Sequence, residues 1–221
     1  MYRALLLSSA LLFAIVTMLP NVVKASPTGI PDPAVDTPLV STKSQQTAVL
    51  AGGCFWGVEA VFEHVKGVIE VRSGYSGGQA RTAEYEKVSS GRTGHAESVR
   101  ITFDPSQVSY GQLLKVFFSI AHDPTELNRQ GPDTGTQYRS VIFFSNEEQL
   151  RIARAYIDQL NKARVFDKLI ATQVTALKAF YAAEDYHQNY LALHPDEPYI
   201  IYNDIPKVEN LRKQLPEIYK D

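Results

Sequence analysis

The chain has one cysteine, one tryptophan and two methionines among 221 residues. A single cysteine cannot form an internal disulfide, and it excludes every zinc site built from paired cysteines. The five histidines, His64, His95, His122, His187 and His194, include no HExxH pair, so no metal site is expected. No lysine or arginine run occurs, and acidic side chains outnumber basic ones, 24 against 22. That balance argues against nucleic acid as a partner and against an anionic membrane surface. No internal repeat is visible.

Long apolar runs are also scarce; the one present is Ala4 to Leu19, 16 apolar or small residues ending at Pro20. It is short for a spanning helix of about 20 residues. Arg3 precedes it, and Val23-Lys24-Ala25 before Ser26 has the small-x-small form of a secretory cleavage site. Residues 1–25 are therefore expected to be a signal, cleaved to leave a secreted or periplasmic protein; an uncleaved anchor is the weaker alternative. Cleavage removes Arg3 and Lys24, leaving 20 basic side chains against 24 acidic ones. The remaining 196 residues suffice for one domain with a sizeable core. An odd cysteine in an exported chain means intermolecular pairing or a free reactive thiol.

Residues 26–46 carry Pro27, Pro31, Pro33 and Pro38 among serines and threonines, without apolar periodicity, and read as a flexible leader. The domain is expected over 47–205, with 206–221 as a tail. Within it, Ala48-Val49-Leu50-Ala51 reads as a strand. Val58, Val61, Phe62 and Val65 then recur at helix spacing, ending at Lys66-Gly67. Strands follow at Val68–Tyr75 and Ala96–Phe103, a helix at Ser109–Ala121 and a strand at Ser140–Phe144. Ser145-Asn146-Glu147-Glu148 has the form of a capping box, followed by a stripe of Leu150, Ala153, Ile157 and Leu160. A further strand is expected at Ile170–Leu177, a short helix at Glu184–Leu193, and a last helix around Lys207–Gln214. The order β-α-β-β-α-β through Phe144 is the split βαβ arrangement, so the fold class is α+β: a two-layer sandwich with a mixed sheet and C-terminal additions.

The glycine turn Gly52-Gly53 between the first strand and helix puts Cys54 at the helix's first turn. Unpaired N–H groups and the helix dipole there favour a thiolate. From spacing alone Cys54 reads equally as a nucleophile and as a small buried hydrophobe. Glu97 alternates with Val99, Ile101 and Phe103 on the apolar face of its strand. Burial there raises a carboxyl's pKa and makes it a proton donor near neutrality, unless the strand end reaches water. Phe55 and Trp56 suggest an apolar pocket, or ordinary packing. Tyr85 and Tyr138, in polar connections, are hydrogen-bond donors available to a substrate oxygen. His187, among Tyr181, Tyr186 and Tyr190, suits a water-holding or tyrosine-orienting role, or a satisfied polar cluster. Gly74-Tyr75-Ser76-Gly77-Gly78 lacks the lysine and spacing of a phosphate loop.

Taken together, Gly53-Cys54-Phe55-Trp56-Gly57, Gly74-Tyr75-Ser76-Gly77-Gly78 and Tyr85-Glu86-Lys87-Val88 resemble the peptide methionine sulfoxide reductases of type A. Thr93-Gly94-His95-Ala96-Glu97, Gly135-Thr136-Gln137-Tyr138-Arg139-Ser140 and Ala183-Glu184-Asp185-Tyr186-His187-Gln188 continue the resemblance in family order. It implies that Cys54 attacks the sulfoxide sulfur of an oxidised methionine while Glu97 protonates the oxygen, held by Tyr85 and Tyr138. It also implies that Phe55 and Trp56 receive the S-methyl group, that Asp133 and His187 support the site, and that Cys54 becomes a sulfenic acid. The S epimer at sulfur and no metal or organic cofactor are implied as well. Many members of that family recycle the sulfenic acid with a cysteine in the C-terminal tail, which this chain lacks. An external thiol, a thioredoxin-like protein or a small molecule, is then the expected reductant. No stable membrane partner is expected, and the protein is expected to be monomeric. Two alternatives remain: a cysteine-dependent hydrolase or acyltransferase pairing Cys54 with His187 or His95, and a non-catalytic binder of oxidised methionine.

Overall fold

The structure, a computed structural model, describes residues 29–221; the expected signal lies outside them. Strand β1 (Gln46–Ala51) is followed by helix α1 (Phe55–Glu63), strand β2 (Val68–Ser76) and a single-turn helix α2 (Tyr85–Val88). Then come β3 (Ala96–Phe103) and α3 (Tyr110–Val116), which runs on as a π-helical turn, Phe117–Ala121. A small hairpin, β4 (Arg129–Gln130) and β5 (Asp133–Thr134), sits in the long polar connection. The chain closes with β6 (Val141–Phe144), α4 (Glu147–Lys162), β7 (Gln173–Ala176), β8 (Phe180–Ala182), α5 (Tyr190–Leu193) and α6 (Ile205–Gln214).

The main sheet has the order β7-β6-β1-β3-β2-β8. Antiparallel pairing of β1 with β3 and β6, and of β2 with β3, inserts β3 between β1 and β2. That is the split βαβ arrangement, and the parallel β6–β7 pair makes the sheet mixed. The fold is α+β, as the sequence predicts.

Alternation along the strands sorts the core into two faces. Ala48, Leu50, Val99, Ile101, Phe103 and Ile142 pack against α1, α3, α4 and α6 in the large cluster. Val49, Ala51, Ala96, Val141 and Phe143 point to the other face, under Leu177 and Phe180. Glu97 follows the alternation of Val99 and Ile101, so its carboxyl enters the helix side, where α1 begins.

Several local expectations change. The leader residues that are described do not hang free: Ile30 and Val35 pack on the core, and the Tyr156 hydroxyl donates to the Pro31 carbonyl at 2.7 Å. Asp36 accepts from the Ser109 hydroxyl and from the Gly111 amide, holding the first turn of α3. The stretch 206–221 is equally integral: Leu211 and Leu215 are buried, and Tyr219 bridges to Val65. In α4 the N-cap is Asn146, whose side chain accepts from the Gln149 amide, while Gln149 reaches back to Ser145. The buried stripe is correspondingly Ile152, Ala153, Tyr156 and Leu160. The expected helix over 184–193 breaks into two short turns at Asn189, whose φ is +53°, because the Glu59 carboxylate takes the Asn189 amide at 3.0 Å. Strand β8 has no signature in the sequence, because three residues are too few to show alternation; it pairs with β2 across Gly74, Tyr75 and Ser76.

Candidate active site

The site forms where β1 stops. Gly53 turns the chain at φ +95°, and a Cβ there would lie 2.6 Å from the Gln130 Cγ, so the turn needs glycine. Cys54 follows as the N-cap of α1 and joins the same cluster as Val58, Val61, Phe62 and Val65. It is only 8% exposed.

The Phe55 amide donates to Glu97 Oε2 at 3.1 Å, tying the helix start to β3. Glu97 is buried opposite Tyr75 of β2. Burial pushes its carboxyl up to about 8 against the pull of the Phe55 amide, with Asp133 adding to the rise. At neutral pH Glu97 therefore carries a proton. The alternative, a strand end open to water, does not hold.

Cys54 departs from the expectation of a favoured thiolate. Burial pushes the thiol well up, and the carboxyls of Glu97 and Asp204 push it further, against the Trp56 amide and the Lys207 ammonium. The dipole effect is present but small beside desolvation.

Around this pair stand tyrosines that keep their protons. Burial raises the Tyr85 phenol to about 12, with Glu97 and Cys54 next among the causes. Burial likewise holds Tyr138 above its ordinary value, followed by Glu97, Asp133 and Cys54. Both phenols thus face the Cys54–Glu97 pair as donors. Glu184 fixes the wall behind them, accepting from the Tyr75 hydroxyl at 2.8 Å and from the Tyr85 amide at 2.9 Å.

Phe55 and Trp56 divide the apolar work unequally. Phe55 is buried, its ring 5.0 Å from His187 and 5.9 Å from Tyr75 between centroids. Trp56 is half-buried and lies flat on Tyr190 at 3.7 Å, with Tyr199 edge-on at 5.9 Å. The indole donates from Nε1 to His187 Nδ1 at 3.2 Å, leaving the proton on Nε2, a buried atom without a partner among the described residues. Burial lowers the His187 pKa, so the ring is neutral. Asp133, on β5, accepts from the Tyr199 hydroxyl.

All eight residues singled out in the sequence thus meet at the start of α1. Sequence reasoning gave no role to Glu184, Tyr190 or Tyr199, and passed over Lys207. Tyr199 and Asp204 lie in the last residues of the expected domain, where no periodicity aims them. His95 is elsewhere engaged: Nδ1 accepts from the Gly78 amide and Nε2 meets the Gln79 carbonyl.

A buried thiol beside a buried carboxyl, with two phenols and an aromatic wall, is the candidate site of an oxidoreductase. The family model described as peptide methionine sulfoxide reductase matches residues 46–218, and the chain belongs to that family, type A. It is 59% identical over 176 residues to peptide methionine sulfoxide reductase MsrA 2 of Mesorhizobium japonicum, covering 80% of this chain and 90% of the relative. The protein of the same name from a Synechocystis species is 55% identical over 193 residues, covering 86% and 90%. Among solved structures, Mxr1 of Saccharomyces cerevisiae in reduced form matches with a TM-score of 0.62 at 32% identity, covering 72% of this chain and 94% of that one. Methionine sulfoxide reductase A of Corynebacterium diphtheriae matches at 0.60 and 33%, covering 76% and 87%.

Proposed function

We propose that this protein reduces methionine-(S)-S-oxide in other proteins, using Cys54 as nucleophile and Glu97 as proton donor. The observation that carries the reading is the Glu97 carboxyl, buried, protonated near neutrality and bonded to the amide that follows Cys54. Cys54 gives up its proton and its sulfur attacks the sulfoxide sulfur, while Glu97 delivers a proton to the sulfoxide oxygen. Tyr85 and Tyr138 hold that oxygen through their hydroxyls, and Phe55 and Trp56 take the S-methyl group. The Cys54 sulfur is then bonded to the substrate sulfur, and the S–O bond breaks with the twice-protonated oxygen leaving as water. A water attacks the Cys54 sulfur and breaks the S–S bond. Methionine thus leaves reduced by two electrons, Cys54 is left oxidised by two as a sulfenic acid, and a proton returns to Glu97. Asp133 and His187 keep Tyr199 and Trp56 in place around the substrate.

The chain has no second cysteine, so an external dithiol, thioredoxin-like or two small thiols, returns Cys54 to the thiol, releasing water and a disulfide. No metal or organic cofactor enters this scheme. The expected signal at 1–25 supports repair of oxidised secreted or periplasmic proteins. A histidine-paired hydrolase is less well supported, because both His95 nitrogens are engaged and His187 Nδ1 is taken by Trp56.

The test is turnover of a methionine sulfoxide peptide with dithiothreitol by the wild type and Cys54→Ser. The wild type turns over and the variant does not, and a sulfenic-acid trap labels Cys54 after one turnover. Undiminished activity in Cys54→Ser would sink the reading. Absence of turnover in both proteins would favour a binding module.

A further inference from the structure

One buried carboxyl on α1 takes no part in the reaction above. Glu59 is 1% exposed, and both its oxygens accept from main-chain amides: Oε2 from Asn189 at 3.0 Å and Oε1 from Ser73 at 3.3 Å. The two donors lie 130 and 14 residues away, outside α1. Burying a carboxyl carries a desolvation cost, and an apolar side chain would fill the same place without it. Asn189 is itself exposed and turns the chain at φ +53°, yet its amide is held by a carboxyl that is not exposed.

Asn189 lies between the two residues of this segment that touch Trp56. His187 accepts from the indole Nε1 at 3.2 Å, and the Tyr190 ring lies flat on the indole at 3.7 Å and 6°. Trp56 and Glu59 are three residues apart on α1 and so sit on one side of the helix. Helix α1 thus carries both the indole and the carboxyl that fixes what the indole rests against. Gln188 stitches the same segment to β2: its Oε1 accepts from the Ser73 amide at 3.0 Å, and its Nε2 donates to the Ser73 carbonyl at 3.1 Å. Gln188 therefore sets where the segment sits along β2, and Glu59 sets how close it comes to α1.

On the proposed reading, in which Phe55 and Trp56 receive the S-methyl group, we infer that Glu59 is a positioning residue that sets the width of this apolar pocket. It does so by holding Asn189, and with it the His187 and Tyr190 backing of Trp56. Trp56 is only half-buried, with one face covered by Tyr190, so the indole tilts once that support moves. A pocket whose wall yields no longer separates a methyl from a larger alkyl group on the sulfur. Glu59 acts through Trp56, so its effect falls on which group fits rather than on the chemistry at Cys54.

Hydrogen exchange in the wild type comes first. The Asn189 amide should be protected although its residue is exposed, and exchange at the rate of a free peptide overturns the inference without any variant. Trp56 is the only tryptophan, so intrinsic fluorescence reads the wall directly. Glu59→Gln turns an NH2 toward one of the two amide donors; its emission should shift and acrylamide quenching should rise. A folded Glu59→Gln protein with wild-type emission and quenching overturns the inference. Turnover of a methionine sulfoxide peptide is then compared with that of its ethionine sulfoxide counterpart. One methylene is worth about 10–200-fold in kcat/KM in a tight pocket, and the preference for methyl should fall about fivefold in Glu59→Gln. A merely structural defect lowers both substrates alike, so an unchanged ratio overturns the inference too. Glu59→Asp, one methylene too short to hold both amides, should show the same shift and the same fall, and replaces Glu59→Gln if that variant does not fold. Full activity of Cys54→Ser would instead overturn the proposed reaction and leave the amide protection and the fluorescence shift as they are.

Discussion

The Phe55 amide and the Glu97 carboxyl meet at 3.1 Å across 42 residues of chain. Through this bond the strand that carries the acid also sets the start of the helix that carries the thiol. Glutamine at position 97 can still accept from that amide, whereas aspartate is one methylene too short. Glu97→Gln should keep much of the single-turnover rate but lose the alkaline limb expected near the carboxyl's value of about 8. Glu97→Asp should be the more damaged of the two. Stopped-flow rates of Cys54 oxidation against pH decide; an unchanged rate and profile in Glu97→Gln would place the proton donor elsewhere.

Stability should fall as pH rises from mildly acid to alkaline. Burial, then Glu63, raises the Glu59 carboxyl from 4.5 to about 7, and burial raises Glu97 from 4.5 to about 8. Both are folded values above the unfolded ones, so between about pH 4.5 and those values the folded state holds protons that the unfolded state has lost. Their stabilisation is then greatest below pH 4.5 and is lost as pH climbs toward 7 and 8. Each group contributes a slope of up to about 1.4 kcal/mol per pH unit. Urea titrations from pH 5 to 8 should show this decline, reduced in Glu59→Gln. Equal slopes in the two proteins would show that Glu59 titrates normally.

Gly53→Ala should be strongly destabilising. The left-handed backbone costs about 1–2 kcal/mol for any L side chain, and the added methyl runs into Gln130. Gln130 cannot swing away freely, since it accepts from the Asp123 amide and donates to the Asp123 carbonyl. A loss of at least about 2 kcal/mol is expected in urea unfolding. A loss within error would mean that the turn relaxes.

Asp36→Ala should loosen the leader from the domain. It strips the Gly111 amide and the Ser109 hydroxyl of their shared acceptor, a cost of about 1–3 kcal/mol. Ser109 still caps the helix through Gln112, so α3 should survive. Faster proteolysis of the leader and a lower melting temperature are the readouts. An unchanged melting temperature would indicate that the leader adds nothing to the folded state.

What could be read from the sequence followed from local period. The alternation of β3 aimed Glu97 inward beside Val99, and the helix stripe carried Cys54 onto the face of Val58. The glycine turn marked the entry to α1 because positive φ leaves a residue-type signature. The motifs identified the family, and with it the eight candidate site residues. The single cysteine, plain from composition alone, excludes an internal disulfide.

Only the tertiary structure decided the charge state of the site. The sequence argument for a thiolate rested on one helix end, whereas the resting thiol is governed by burial and by Glu97 and Asp204, which arrive from β3 and from the C-terminal segment. The packed leader, the Tyr199–Asp133 contact and the hold of Glu59 on Asn189 were hidden for the same reason. Each joins segments far apart in the chain, and no local pattern records which distant carboxylate will be buried against a given helix turn.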